Sequence, residues 1–141
     1  MKRLKIVLDT NAIISALGRK SPYKIVIDKL LDDQYDLFIT TDILLEYEEK
    51  LTELHNVKTA TTFLDFLSVL PNVYPTVSHY RFLLVTHDAD DDKFADCAIA
   101  QGVHYLVTDD RHYNVLIQLG FPKVNLLKIK EFKELLEKMP Y

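Results

Sequence analysis

Short apolar runs alternate along the chain with longer segments in which apolar residues recur at helical spacing. The runs predict β-strands at Lys5–Asp9, Asp36–Thr40, around Val73, His104–Thr108 and Val124–Ile129. The longer segments predict helices over Asn11–Leu17, from Ser21-Pro22 to Asp32-Asp33, from Thr41-Asp42 to Leu54, over Val57–Leu70, from Asp90 or Asp91 to Gln101, over Tyr113–Leu119 and over Lys130–Lys138. Residues 76–86 carry no clear pattern.

The predicted elements follow one another as repeated strand-then-helix units. Because crossover connections within one sheet are right-handed, this order predicts an α/β protein whose parallel sheet carries helices on both faces. The 141 residues match the size of one domain, so we expect a single domain over residues 1–141.

Composition and charge narrow the class of protein. With 48% hydrophobic and 27% charged residues, the chain should fold as an ordinary globular domain. Its 17 Lys and Arg against 21 Asp and Glu give a net charge of −4, which argues against nucleic-acid binding through bulk charge. No apolar run reaches the roughly 18–20 residues that cross a bilayer, so we expect a cytoplasmic protein without membrane contact. The single cysteine, Cys97, excludes an internal disulfide and is expected to be a small buried hydrophobe.

Acidic residues cluster at one edge of the predicted sheet. Asp9 ends the first strand, and Asp110 follows the fourth. Glu46 lies in the second turn of the helix after the second strand, and Asp92 and Asp96 open the helix before the fourth. Because ligand sites in open parallel sheets lie outside the carboxyl ends of the strands, we expect these carboxylates to converge.

The predicted cluster of acids requires a counter-charge. Asp92 and Asp96 stand at positions i and i+4 of one helix, which is already an unfavourable pair of like charges. An all-oxygen ligand set favours a hard divalent cation, Mg²⁺ or Mn²⁺, which activates water and neutralises charge on a reacting phosphoryl group. The pattern therefore predicts a metal-dependent phosphoryl-transfer site.

Four segments carry these acids in a distinctive order. They are LDTNAIISAL at Leu8–Leu17, ITTDILLEYEEKL at Ile39–Leu51, DADDDKFADCAIAQG at Asp88–Gly102 and YLVTDDRHY at Tyr105–Tyr113. Together they resemble the PIN-domain nucleases over nearly the whole chain, and in particular the stand-alone PIN proteins proposed as toxins of toxin–antitoxin pairs. The resemblance implies a three-layer α/β/α sandwich and a metal-dependent endoribonuclease. The expected partners are an RNA substrate, an antitoxin protein and a second copy of the chain in a homodimer.

The resemblance also implies roles for individual residues. The expected catalytic residues are Asp9, Glu46, Asp96 and Asp110, and the expected metal ligands are Asp9, Asp92, Asp96 and Asp110. Asn11 matches the polar residue that steadies the first acid, and Thr108 matches the hydroxyl before the fourth. Ala89 departs from the family pattern, in which proline is common at this position.

Some of these acids also have simpler structural interpretations. Asp9 alone would be read as a cap of the following helix. Glu46 precedes Lys50 by four residues, which is the favourable orientation for an ion pair on a helix surface, and Glu48 and Glu49 compete with it for any role at the site.

Neighbouring acids are expected to have structural roles. Asp88, Asp90 and Asp91 lie where carboxylates cap a helix and complement its dipole, so metal binding is not needed to explain them. Asp109 should point away from Asp110 if the loop continues in an extended conformation.

Residues beside the fourth acid are candidates for substrate contacts. Arg111 and His112 could hold a phosphate or protonate a leaving oxygen, or they could simply face water. Tyr113 is a candidate for an exposed ring that stacks on a base.

Two other functions are compatible with the pattern. Asp9 could be the covalent nucleophile of a sheet-edge aspartate phosphohydrolase, although that chemistry usually has a second Asp at the position of Asn11. A PIN-like fold could also serve as a non-catalytic RNA- or protein-binding module, and the intact acids argue against this.

Overall fold

The computed structural model describes residues 3–77, 89–118 and 123–139, with the backbone alone described at 89–92 and 118. Five parallel strands form one sheet in the order β3-β2-β1-β4-β5. The strands are β1 (Lys5–Leu8), β2 (Asp36–Ile39), β3 (Val73–Pro75), β4 (Tyr105–Val107) and β5 (Leu126–Leu127). In the register, Ile6 pairs with Leu37 on one side and with Tyr105 on the other.

Helices connect the strands and cover the sheet. They are α1 (Thr10–Ala16), α2 (Lys24–Leu31), α3 (Thr41–Leu54), α4 (Val57–Val69), α5 (Ala89–Gln101), a 3₁₀ helix (Arg111–Gln118) and α6 (Ile129–Glu137). Helix α1 packs on α2 and α3, α3 on α4, α2 on α6, and α5 on β1, β2 and β4. The predicted three-layer α/β/α sandwich with a central parallel sheet is confirmed.

The core surrounds the central strand β1. Ile6, Val7 and Leu8 are fully buried, as expected for a strand covered by helices on both faces. Tyr35 and Phe132 meet edge to face with ring centroids 5.2 Å apart, which ties the segment before β2 to α6. No helix in the described part of the chain is long and apolar enough to span a bilayer.

The starts of two helices differ from the sequence prediction. Helix α2 begins at Lys24, and Ser21 lies outside it, where its hydroxyl accepts a hydrogen bond from the Tyr23 amide. Thr40, rather than Thr41 or Asp42, caps α3 by accepting a hydrogen bond from the Ile43 amide at 3.2 Å. Both errors are shifts along a polar stretch in which several residues have capping chemistry.

The boundaries around α5 and the 3₁₀ helix also differ. Helix α5 already includes Ala89, so Asp90 and Asp91 lie within its first turn and neither is its cap. The helix predicted over Tyr113–Leu119 is a 3₁₀ helix that begins at Arg111. Leu119, Asp88 and most of the segment without a pattern lie outside the described residues.

Candidate active site

Asp9 occupies the junction between β1 and α1 at the carboxyl edge of the sheet. No loop separates the two elements, so Asp9 sits at the N-cap position of α1 and is only 4% exposed. Its amide donates to the Val107 carbonyl at 3.0 Å, which continues the pairing of β1 with β4. Its side chain makes no capping hydrogen bond to α1 within the described structure, so the simple capping interpretation is wrong.

Thr108, which directly follows β4, holds the Asp9 carboxylate. The Thr108 hydroxyl donates to Asp9 Oδ2 at 2.7 Å and accepts from the Asp110 amide at 3.0 Å. One buried hydroxyl therefore orients the first acid and shapes the loop that carries the fourth. Asn11, which the resemblance also assigned a supporting role, has an exposed side chain.

Asp110 lies in a turn with the two candidate substrate-binding residues. The His112 amide donates to Asp110 Oδ1 at 2.9 Å, and His112 Nδ1 lies 3.5 Å from the same oxygen. A depression of about 480 Å³ is lined by Asp110, Arg111, His112 and Val115. Arg111 and His112 are exposed, so their side chains are accessible to a ligand beside the half-buried Asp110.

Glu46 is held by two other elements. Its Oε1 accepts from Lys93 Nζ of α5 at 3.0 Å, and its Oε2 accepts from the hydroxyl of Thr10 in α1. The Glu46 and Lys93 side chains are only 12% and 20% exposed. Glu46 therefore links α3 to α1, which follows Asp9, and to α5, which carries Asp96.

The alternative interpretation of Glu46 as part of a surface pair is wrong. Lys50 instead pairs with Glu53, at 3.6 Å and with both side chains largely exposed. Glu48 and Glu49 are exposed. Among the acids of α3 between residues 46 and 49, Glu46 is the one that the fold turns inward.

Helix α5 carries Asp92 and Asp96 one helical turn apart. Asp96 is 6% exposed, and its neighbour Cys97 is fully buried with its sulfur 3.8 Å from the hydroxyl of Thr76, which follows β3. The side chain of Asp92 lies outside the described residues. Because Thr76 directly follows the last residue of β3, this contact places the Cys97 turn of α5 beside the carboxyl end of that strand.

The carboxylates suit a hard cation in their chemistry. The described donors at this edge, those of Asp9, Glu46, Asp96 and Asp110, are all oxygens, as Mg²⁺ and Mn²⁺ prefer. Asp9 and Asp96 are buried charges, which cost free energy unless they are compensated. Among the side chains that the structure describes, no three His, Cys, Asp or Glu residues already form a metal-binding group.

Tyr47 holds the end of β1 beside Asp9, and nothing in the sequence pattern singles it out. Its hydroxyl donates to the Leu8 carbonyl at 2.6 Å, immediately before Asp9. Burial, followed by the charge of Asp9, raises the pKa of the Tyr47 phenol well above its usual range. The phenol therefore stays a hydrogen-bond donor throughout the physiological pH range.

Two residues near the fourth acid have structural roles. Asp109 is exposed, and its Oδ1 accepts from the Ile129 amide at 2.9 Å, so it satisfies a free N–H at the start of α6. Tyr113 is fully buried, so the prediction of an exposed stacking ring is wrong at this position.

Three residues at the site were missed by sequence reasoning. Thr10 and Tyr47 carry no signal in a single sequence beyond their closeness to Asp9 and Glu46. Lys93 did carry one, because it is the only basic residue in the acidic stretch 88–96. A lone cation among acids is a candidate partner for one of them.

The buried cysteine provides a test of packing beside Asp96. Burial raises the pKa of the Cys97 thiol to about 11. At pH 8 we therefore expect a disulfide reagent to modify Cys97 very slowly in the folded protein and completely in guanidinium. Because the folded pKa is raised, stability should fall as the pH rises from about 9 towards 11. A Cys97→Ala variant should lack that part of the pH dependence, and fast modification of the native protein would contradict the buried position.

The structure defines the protein as a parallel α/β/α domain with buried carboxylates after its strands. The PIN-domain family model matches residues 5–112, and the chain belongs to this family of nucleases. No curated protein matches the chain in sequence.

Solved structures share the fold at low sequence identity. VapBC2 from Rickettsia felis, bound to a DNA fragment from its promoter, is 17% identical with a TM-score of 0.60, covering 89% of this chain and 98% of that chain. DNA-bound VapBC from Salmonella typhimurium is 15% identical with a TM-score of 0.56 and the same coverage. FitAcB from Neisseria gonorrhoeae is 20% identical with a TM-score of 0.56, again covering 89% and 98%.

Proposed function

We propose that this protein is a metal-dependent endoribonuclease that hydrolyses phosphodiester bonds in RNA. The observation that carries the proposal is the buried carboxylate of Asp9 at the carboxyl edge of the sheet, which the Thr108 hydroxyl orients through a hydrogen bond of 2.7 Å. Membership of the PIN-domain family supports the same conclusion.

A divalent cation, Mg²⁺ or Mn²⁺, would be held by Asp9, Asp96 and Asp110, with Asp92 as a further candidate. When bound, such an ion supplies a nucleophilic water and neutralises charge on the phosphoryl group. The protein itself orients the carboxylates. The Thr108 hydroxyl donates a hydrogen bond to Asp9 Oδ2, and the His112 amide donates one to Asp110 Oδ1. In the depression beside Asp110, the exposed Arg111 and His112 would bind a phosphate of the RNA chain.

The proposal includes a toxin role with an antitoxin protein as partner. Two solved structures that share this fold, VapBC2 from Rickettsia felis and VapBC from Salmonella typhimurium, are bound to DNA. This chain has a net charge of −4 and little general attraction for DNA, so any DNA contact would belong to the partner. A cytoplasmic location and a homodimer belong to the same proposal, and light scattering of the purified chain tests the homodimer.

The expected activity is cleavage of RNA that stops when a chelator is added. Hydrolysis by water should leave 5′-phosphate and 3′-hydroxyl ends, which a ligase accepts. Cleavage that persists in EDTA and leaves 2′,3′-cyclic phosphates would instead indicate acid–base catalysis by a side chain such as His112, and would contradict the proposal.

A phosphomonoester tested in parallel separates the alternative enzyme. Hydrolysis of the monoester without cleavage of RNA would favour the aspartate phosphohydrolase. Binding of RNA without any cleavage, at every divalent ion tested, would favour a non-catalytic module.

A further inference from the structure

Both oxygens of the Glu46 carboxylate are occupied by groups of the protein. Lys93 Nζ binds Oε1 at 3.0 Å, and the Thr10 hydroxyl, itself in a residue that is 3% exposed, binds Oε2. Lys93 belongs to α5, Glu46 to α3 and Thr10 to α1. Their side chains therefore form a continuous link between three helices.

Each end of this link adjoins an acid of the site. Thr10 directly follows Asp9, and Lys93 precedes Asp96 by three residues, or about one turn of α5. A displacement of Glu46 would therefore be transmitted to both carboxylates. Position errors of this kind are costly in catalysis, since a shift of about 1 Å can lower a rate by about 10²-fold.

We propose that Lys93 is a positioning residue, which holds Glu46 as a bridge between the helices of Asp9 and Asp96, and that Glu46 is not a metal ligand. The Lys93 ammonium neutralises the Glu46 carboxylate, so the divalent ion would bind the other acids of the site. The catalytic part of this inference rests on the proposed function, whereas the structural part does not.

Burial makes this ion pair different from the other pair of α3. The Glu46 and Lys93 side chains are 12% and 20% exposed, against 43% and 54% for Lys50 and Glu53. Removing one member of a mostly buried pair leaves a desolvated charge without compensation, whereas an exposed pair contributes little. Lys50 is therefore the matched control for Lys93.

The experiment compares Glu46→Gln, Lys93→Met, the double variant Glu46→Gln/Lys93→Met, Lys93→Arg and Lys50→Met. The melting temperature is measured in EDTA and again with Mn²⁺. We expect each single variant of the buried pair to melt several degrees lower in EDTA, and the double variant to lose clearly less than the sum of the two. Lys93→Arg should recover most of the loss, and Lys50→Met should melt like the wild type.

The Mn²⁺ response separates a bridge from a ligand. If Glu46 is a bridge, the rise in melting temperature on adding Mn²⁺ stays close to that of the wild type in Glu46→Gln. If Glu46 is a ligand, Glu46→Gln loses much of this rise and Lys93→Met, which frees the carboxylate, gains. The second pattern would overturn the proposal, as would additive melting losses.

The kinetics of RNA cleavage test whether Lys93 acts by positioning the catalytic groups. We expect kcat to fall by about 10- to 10²-fold in Lys93→Met with KM nearly unchanged, because Lys93 touches Glu46 rather than the substrate. A rise in KM at constant kcat would assign Lys93 to substrate binding and contradict the proposal. If Lys93→Met does not fold, Lys93→Arg and the double variant, which removes both charges of the Glu46–Lys93 pair, carry the test.

Failure of the proposed function would look different. If the wild type cleaves no RNA, the proposed activity is wrong, while the melting temperatures in EDTA and Mn²⁺ still decide whether Lys93 and Glu46 act as a coupled bridge.

Discussion

Asp9→Asn should remove both the cleavage of RNA and most of the rise in melting temperature that Mn²⁺ causes. Asparagine keeps the size of the side chain and a carbonyl oxygen that accepts the hydrogen bond of Thr108, so the fold around the site should persist. What the substitution removes is a negative charge at a position that is 4% exposed. We expect a loss of roughly 10²–10³-fold in kcat, as when a preorganised charged or dipolar group is removed from an active site.

Asp65→Asn is the control for this variant. Asp65 is an exposed acid on α4, so its replacement changes the net charge by the same amount without touching the site. It should keep the activity and the metal response of the wild type. An Asp9→Asn protein that still gains stability from Mn²⁺ as the wild type does would show that Asp9 is not the anchor of a metal site.

Asp96→Asn should abolish cleavage, whereas Asp92→Asn should lower it less. Asp96 is 6% exposed and lies in the second turn of α5, where the helix dipole gives a carboxylate little support. Asp92 lies in the first turn, where the dipole stabilises a carboxylate even without metal. The two variants share one helix and one change in charge, so each is the control for the other.

Stability without metal adds a second readout to this comparison. Asp96→Asn removes a like-charge partner of Asp92 one turn away, so its melting temperature in EDTA should be unchanged or higher than that of the wild type. Asp92→Asn should keep part of the Mn²⁺ response. An inactive Asp92→Asn beside an Asp96→Asn that cleaves RNA normally would invert the order of the two acids but leave the nuclease proposal intact.

The fold was accessible from the sequence because its signals are local. Parallel strands buried on both faces are short continuous apolar runs, such as the one ending at Leu8, and the amphipathic helices between them show helical spacing. Repetition of these units then defines the sheet through the handedness of its connections. Element ends were less accurate, as at Thr40 and Ala89, because neighbouring polar residues compete for the same cap.

The sequence pattern also predicts which acids follow the strands, but it does not predict their hydrogen-bond partners. The end of a parallel strand identifies one edge, so Asp9 and Asp110 could be assigned to it from sequence spacing. The contact of Glu46 with Lys93 joins residues 47 positions apart, and local spacing instead favoured Lys50. The hydrogen bond from Thr108 to Asp9 spans 99 positions, and its partner cannot be chosen from a single sequence.

Helix α6 has a consequence for protein engineering. The region that matches the family model stops at residue 112, yet α6 is joined by Asp109 to the loop of the fourth acid and by Phe132 to the core beside Tyr35. A domain trimmed to the matched region would expose the ring of Tyr35, lose strand β5 and leave Asp109 without the amide it binds. A shortened or fused version of this protein should therefore retain the chain through Glu137, with attachment points placed beyond that helix.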